Sequence, residues 1–291
     1  MSDVSDVLAP YLSREAAELQ RLDPMVRGDL PDAVHQMRVT ARRLRAVLLG
    51  FDPEFLAGHT AGLRKDLGWL AAELGRARDL EVLRKRISTT ALREGAVLTE
   101  LDAQLAESHE HAHADAVTAM ASARYAALLE ELDAFVAAPP WSQQAHRPAS
   151  EELRNRLRRL WRQLDAAAGE LEDADSSEGH DSNNASERAL SLHDLRRRAK
   201  RLRYCTEAAE PALGASAGEL SRMLSELQDR LGRHHDAVLA DRMIAMLSDP
   251  DLAPAANATR RRLAREASDD DRRALHLVRK IRRSRVLHCL R

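Results

Sequence analysis

One charged motif occurs twice in this chain of 291 residues. His35-x2-Arg38-x3-Arg42-Arg43-x-Arg45 is matched by His193-x2-Arg196-x3-Lys200-Arg201-x-Arg203. A second string follows each copy: Lys65, Leu67, Leu70, Leu74, Gly75, Arg76 and Asp79 correspond to Arg222, Leu224, Leu227, Leu231, Gly232, Arg233 and Asp236. The separations of the two motif pairs differ by one residue, which marks an internal duplication. A duplicated unit with the same helix order predicts two helical bundles, each of about four helices, related by an approximate two-fold axis. The helices holding 35–45 and 193–203 are expected to face each other across that axis.

Composition settles what the unit is made of. Phe, Trp and Tyr occur three times each, 3% aromatic in all, while the 44% hydrophobic content is mostly Ala and Leu. Those are helix formers, and the β-branched and aromatic residues that favour sheets are scarce. The expected fold class is all-α, with long helices such as 95–137. Pro139, Pro140, Gln143, Gln144 and Pro148 break the helical pattern near the midpoint. This predicts an N-terminal repeat over 1–138, a linker over 139–149 and a C-terminal repeat over 150–291. The polar, turn-rich stretch Gly169 to Ser186 reads as an exposed loop.

Lys and Arg number 45 against 46 Asp and Glu, a net charge of −1, which excludes a globally basic nucleic-acid binder. Any anion site must therefore be a local concentration of charge. Two cysteines, Cys205 and Cys289, cannot make a disulfide framework; the N-terminus has no signal-peptide pattern, and no apolar run approaches the ~20 residues that span a bilayer. The expected setting is cytoplasmic, with no membrane partner.

At ~100° per residue, positions i, i+3, i+7 and i+10 fall within an arc of roughly 80°. His35, Arg38, Arg42 and Arg45 thus form one stripe, and His193, Arg196, Lys200 and Arg203 another. Val34, Met37, Ala41, Leu44 and Leu48 occupy the adjoining sector, so the cations border the buried face. No acid lies between His35 and Arg45, and only Asp194 between His193 and Arg203. Like charges stacked at helical spacing repel. They are explained by solvation, by carboxylates from other helices, or by an anionic ligand. Retention of the spacing and leading histidine in two diverged halves favours the ligand, and Arg and Lys suit phosphate oxygens.

The second string reads mostly as structure. Gly75 and Gly232 resemble left-handed C-terminal caps, and Asp79 and Asp236 N-caps of following helices. Alternatively each Asp reaches back to orient a motif arginine. His35 and His193 read as donors to an anion in preference to metal ligands, with a structural role as core-edge hydrogen-bonding residues the other alternative. Residues 272–291 hold Arg272, Arg273, Arg279, Lys280, Arg282, Arg283, Arg285 and Arg291 with no acid. They form either a third wall of the anion site or a solvent-exposed basic helix. His109-Glu110-His111-Ala112-His113 formally matches HExxH but lacks a third ligand and a cleft; adventitious surface metal binding by His109 and His113 suits it better. Phosphate-cradling, dinucleotide, GxSxG and CxxC motifs are absent, so no cofactor and no resident metal are expected.

These motifs resemble the CHAD domain, a histidine-bearing α-helical family. The resemblance rests on the HxxRxxxRRxR string at 35–45, its partner at 193–203 running into Tyr204, and the LG-x3-D strings at 74–79 and 231–236, and it covers nearly the whole chain. It implies two pseudo-symmetric bundles around a basic central pore or groove that binds inorganic polyphosphate. The implied ligands are His35, Arg38, Arg42, Arg45, His193, Arg196, Lys200 and Arg203. Arg43 and Arg201 match the motif although their helical phase points away from the stripe. Lys65, Arg197, Arg222, Arg279, Arg282 and Arg283 complete the candidate contacts. Many relatives carry an N-terminal triphosphate-tunnel domain, whereas this chain begins almost directly at the CHAD unit; non-catalytic binding, in storage or targeting and in association with polyphosphate granules, is the expected role. Nucleic-acid binding and metal-dependent phosphohydrolysis are the alternatives. Nucleic acid is disfavoured because single strands gain ~1–3 kcal/mol per base by aromatic stacking, and Tyr204 is the one aromatic among the motif cations.

Overall fold

The computed structural model describes residues 2–93, 99–176, 182–246 and 253–290. Among the described residues the fold is all-α: α1 (Val4–Arg27), α2 (Ala33–Gly50), α3 (Ala61–Arg93), α4 (Thr99–Met120), α5 (Ala123–Ala137), α6 (Ala149–Ser176), α7 (Ser182–Leu213), α8 (Ala215–Ala245) and α9 (Ala253–Arg283). Among the described residues there are also three short 3-10 turns, at 52–54 between α2 and α3, at 143–146 between α5 and α6, and at 285–290 after α9. Extended backbone among the described residues pairs only at two isolated bridges, Asp3 with Pro148 and Phe55 with Trp141.

Local chemistry sets the helix ends. Asp3 and Asp6 form a reciprocal capping box at the start of α1, each carboxylate accepting the other's backbone N–H at 3.0 Å. α5 ends before Pro139-Pro140, as the sequence predicts, and the connection is pinned where Phe55 stacks on Trp141 at 4.9 Å. The expected single helix over 95–137 is instead two: Ala121 and Ser122 interrupt it, and the Ser122 hydroxyl caps α5 by accepting from the Tyr125 N–H. The predicted loop over 169–186 is also corrected. α6 continues to Ser176 and α7 starts at Ser182, so much of that polar stretch is helical; 177–181 lie outside the described residues.

The apolar stripes of both motif helices are buried. Met37, Ala41, Leu44 and Leu48 of α2 join Leu192, Leu195, Ala199 and Leu202 of α7 in one continuous core, to which α1, α3, α5, α6, α8 and α9 also contribute. A smaller cluster, including Leu83, Leu101, Ile244 and Leu263, closes the distal ends of α3, α4, α8 and α9. α2 packs on α3 and on α7, and α7 packs on α8. Gly50 permits the α2–α7 approach, because a Cβ there would overlap the Cys205 Sγ. The Arg156 guanidinium, buried in the same interior, donates to Glu54 Oε1 at 2.7 Å and to Gln144 at 2.9 Å, tying α6 to both midchain turns.

Candidate anion site

Arg38, Arg42, Arg196 and Lys200 act on one another across the α2–α7 contact. All four are half-buried, because their positions flank the core-facing sector of each helix. Among the described residues no carboxylate lies within ion-pair distance of Arg42, Arg196 or Lys200. Burial, then the charges of Arg196, Arg42 and Arg38, push the Lys200 ammonium down to about 6. Burial and Arg38 likewise bring the Arg42 guanidinium down to about 10, and burial lowers Arg196. Such a cluster is under-neutralised by the protein's own groups, and an anion entering it would relieve the repulsion.

Two acids temper the cluster. Arg38 donates to both Asp79 oxygens, at 2.7 and 3.3 Å. Asp236 is felt by Arg196 and Lys200, and burial raises its carboxyl above the usual range. The cap assignments of the second string are therefore corrected. α3 runs unbroken through Gly75 and Asp79, and α8 through Gly232 and Asp236. Gly75 makes room for a side chain: a Cβ there would stand 3.2 Å from an Arg38 Nη. Its partner Asp79 does what the alternative reading asked, orienting a motif arginine.

The remaining candidates fall into three groups. His35 is half-buried and His193 exposed; burial lowers both imidazoles, followed by Arg78 for His35 and by Arg197 for His193. Arg45 is exposed and packs over Gly68, and Lys65 and Arg222 are exposed. Other cations are engaged by protein carboxylates: Arg43 by Glu15 and Glu207, Arg203 by Glu207 at 2.8 Å, and Arg197 by Asp194 at 2.8 Å. Arg201 is half-buried, and burial lowers it. Arg279 pairs with Glu172 and Arg282 with Asp165 and Glu172, all on α6; Arg283 is exposed on the same part of α9.

Sequence reasoning missed His235. It lies 6.3 Å, ring to ring, from His193, and burial and Arg196 push its imidazole down to about 4. Its signal was present as the His234-His235-Asp236 run that departs from Arg78-Asp79 in the first copy. The HExxH string does not converge on a metal. His109 Nδ1 lies 3.0 Å from the Ala77 carbonyl and His113 Nε2 3.1 Å from the Val26 carbonyl, so each joins α4 to a different part of the bundle. Among the described residues no three His, Cys, Asp or Glu side chains group to hold a metal ion, and no helix is long and apolar enough to cross a membrane.

Comparison with known proteins agrees with this architecture. The CHAD domain family model matches residues 10–245. Two curated relatives from Mycobacterium tuberculosis, uncharacterized proteins Rv2226 (strain H37Rv) and MT2285 (strain CDC 1551), are each 32% identical over 243 residues, covering 81% of this chain and 44% of theirs. The chain thus spans less than half the length of those relatives. Among solved structures, PptA from Streptomyces chartreusis superposes with a TM-score of 0.73 at 21% identity, over 96% of this chain and 100% of that one. The CHAD domain from the plant Ricinus communis gives 0.67 at 27% identity, over 94% and 92%. With the family model matching most of its length and both motif copies packed together in one bundle, the chain belongs to the CHAD domain family.

Proposed function

We propose that this protein binds inorganic polyphosphate at the α2–α7 cation cluster without transforming it, as a storage or targeting accessory. The observation that carries the reading is the pair of half-buried guanidiniums Arg42 and Arg196 with the Lys200 amine beside them, none with a carboxylate in ion-pair range among the described residues. A protein that used these groups for stability would pair them, since an unpaired buried charge is destabilising. An entering phosphate chain supplies many oxygens and no bases, which suits an arginine-rich site poor in aromatics. The CHAD resemblance implies the same ligand.

In this reading the two repeats, 1–138 and 150–291 joined by 139–149, are pseudo-symmetric, and a basic groove between α2 and α7 forms the track. Arg38 is held by Asp79, while Arg42, Arg196 and Lys200 meet the ligand directly. His35, His193 and the exposed Arg45, Lys65 and Arg222 extend the track outward. The protein acts in the cytoplasm, at polyphosphate granules. Phosphoryl transfer would further require an in-line nucleophile and transition-state positioning, roles that the stripe side chains do not fill.

Competition tests the reading. Labelled polyphosphate bound to the protein is challenged, at one salt concentration, with unlabelled polyphosphate and single-stranded RNA of matched charge. Polyphosphate is expected to displace the label at least tenfold more effectively; equal or better displacement by RNA would replace this reading with nucleic-acid binding. Salt dependence alone does not discriminate, because both polymers release counterions.

A further inference from the structure

α9 carries a second set of cations that the α2–α7 cluster does not use. Arg279 and Arg282 pair with Glu172 and Asp165, which turns these two arginines toward α6 and neutralises both acids. Lys280, Arg283 and Arg285 are exposed, and among the described residues none has a carboxylate within ion-pair distance. His276, Lys280 and Arg283 recur at i, i+4 and i+7, on one face of the helix.

The surface beside them is concave and continuous. One hollow of about 430 Å³ is bordered by His276, Arg279, Lys280 and Arg283, and an adjoining one of about 260 Å³ by Arg158, Arg282, Arg283, Arg285 and His288, so the two α6-paired arginines also edge the groove. The two hollows share Arg283 and Ser284. The far wall is anchored: Arg154 donates to the Cys289 carbonyl at 3.1 Å and Arg158 to the Leu290 carbonyl at 2.6 Å, holding the 285–290 turn against α6. This region lies beyond residues 10–245, where the family model matches. The α9 C-terminus carries only about half a negative charge, which the unpaired cations exceed.

We propose that this groove on α9 and the 285–290 turn is a second anion site, taking a stretch of inorganic phosphate polymer separately from the α2–α7 cluster. Two hollows joined at Arg283 and Ser284 suit a chain more than a single phosphate. Trp161, the one Phe, Trp or Tyr lining either hollow, is only 7% exposed, and the exposed rings there are the imidazoles of His276 and His288, whose N–H groups can donate to phosphate oxygens beside the cations; the lining suits an inorganic polymer. The ligand class rests on the function proposed above; the site does not. Its contacts are solvent-exposed and therefore weaker than those of the α2–α7 cluster.

Titration calorimetry of the full chain with tripolyphosphate separates the two sites. The wild type is expected to show a tighter and a weaker event. Lys280→Gln/Arg283→Gln/Arg285→Gln lowers the weaker affinity about tenfold or more and leaves the tighter within twofold, with Arg279 and Arg282 retained to preserve packing on α6. Arg42→Gln/Arg196→Gln removes the tighter event and leaves the weaker. A weaker event unchanged in the triple variant overturns the α9 site, as does a single event in the wild type or tighter binding of an RNA oligonucleotide there. If the triple variant loses its event while Arg42→Gln/Arg196→Gln loses none, the α9 site stands and the α2–α7 reading falls. Thermal melting confirms that each variant is folded, and Lys280→Glu alone repeats the test with one exposed change.

Discussion

Arg38 packs against the bare backbone of α3 at Gly75, where a Cβ would stand 3.2–3.3 Å from three guanidinium atoms, and reaches Asp79 one turn further on. The glycine thus serves an arginine, and its counterpart makes a sharp comparison. At Gly232 a Cβ would meet Arg196 Nη2 at 3.8 Å, an ordinary contact. Gly232→Ala should stabilise by about 1 kcal/mol, the helix-propensity gain. Gly75→Ala should gain less, because Arg38 must shift, and should weaken polyphosphate binding. Urea denaturation of both variants checks this; equal gains would show that Arg38 does not constrain position 75.

Lys200 makes the site respond to pH. Its folded value of about 6 lies far below the ~10.4 of an unfolded lysine. Between those values the unfolded chain binds a proton that the folded chain refuses. This contribution to stability therefore falls as pH falls from about 10 to 6, and levels off below. A bound polyanion favours the ammonium, so binding at pH 7.5 should take up a proton. Calorimetric binding enthalpies in Tris and HEPES should differ accordingly, and the difference should shrink in Lys200→Met, the remainder coming from His35, His193 and His235.

Glu54 and Arg156 form the buried ion pair that secures α6 to the midchain turns. Removing one partner strands the other charge. Arg156→Ala is expected to cost about 3–5 kcal/mol of stability. In the folded population at low temperature, polyphosphate affinity should be unchanged, since neither residue faces the cluster. Chemical denaturation and low-temperature titration measure the two effects separately.

The fold class and the two stripes were legible in the sequence because the duplicated spacing exposed them and the Ala/Leu-rich composition excluded sheets. Their mutual approach depends on Gly50 against Cys205, a contact between distant segments that periodicity does not encode. Gly75 and Asp79 resembled a cap and a helix start because glycine and aspartate favour such ends. Continuous burial of Leu70, Leu74, Ala77 and Leu83 overrode that preference and kept α3 whole. The break at Ala121-Ser122 was hidden by an alanine-rich stretch with no Gly or Pro to mark it. The histidines at 109 and 113 suited no more than adventitious surface metal binding, and their actual carbonyl partners, on separate elements, are long-range contacts that the local string does not encode.

Hydrolysis assays address the enzymatic alternative. Incubating the protein with polyphosphate and Mg²⁺ or Mn²⁺ should release no phosphate and shorten no chains over hours. Metal-dependent release that disappears in His35→Ala or Asp79→Ala would identify a reaction centre where binding alone is proposed.

The most direct test of the central claim is the polyphosphate affinity of Arg42→Gln/Arg196→Gln, with the melting temperature measured in parallel. Charge-assisted contacts contribute about 1.5–3 kcal/mol each, so affinity should fall at least about 100-fold while the fold is kept or becomes more stable, the residual binding belonging to α9. Affinity within twofold of the wild type, together with a lowered melting temperature, would contradict the account and make these arginines structural.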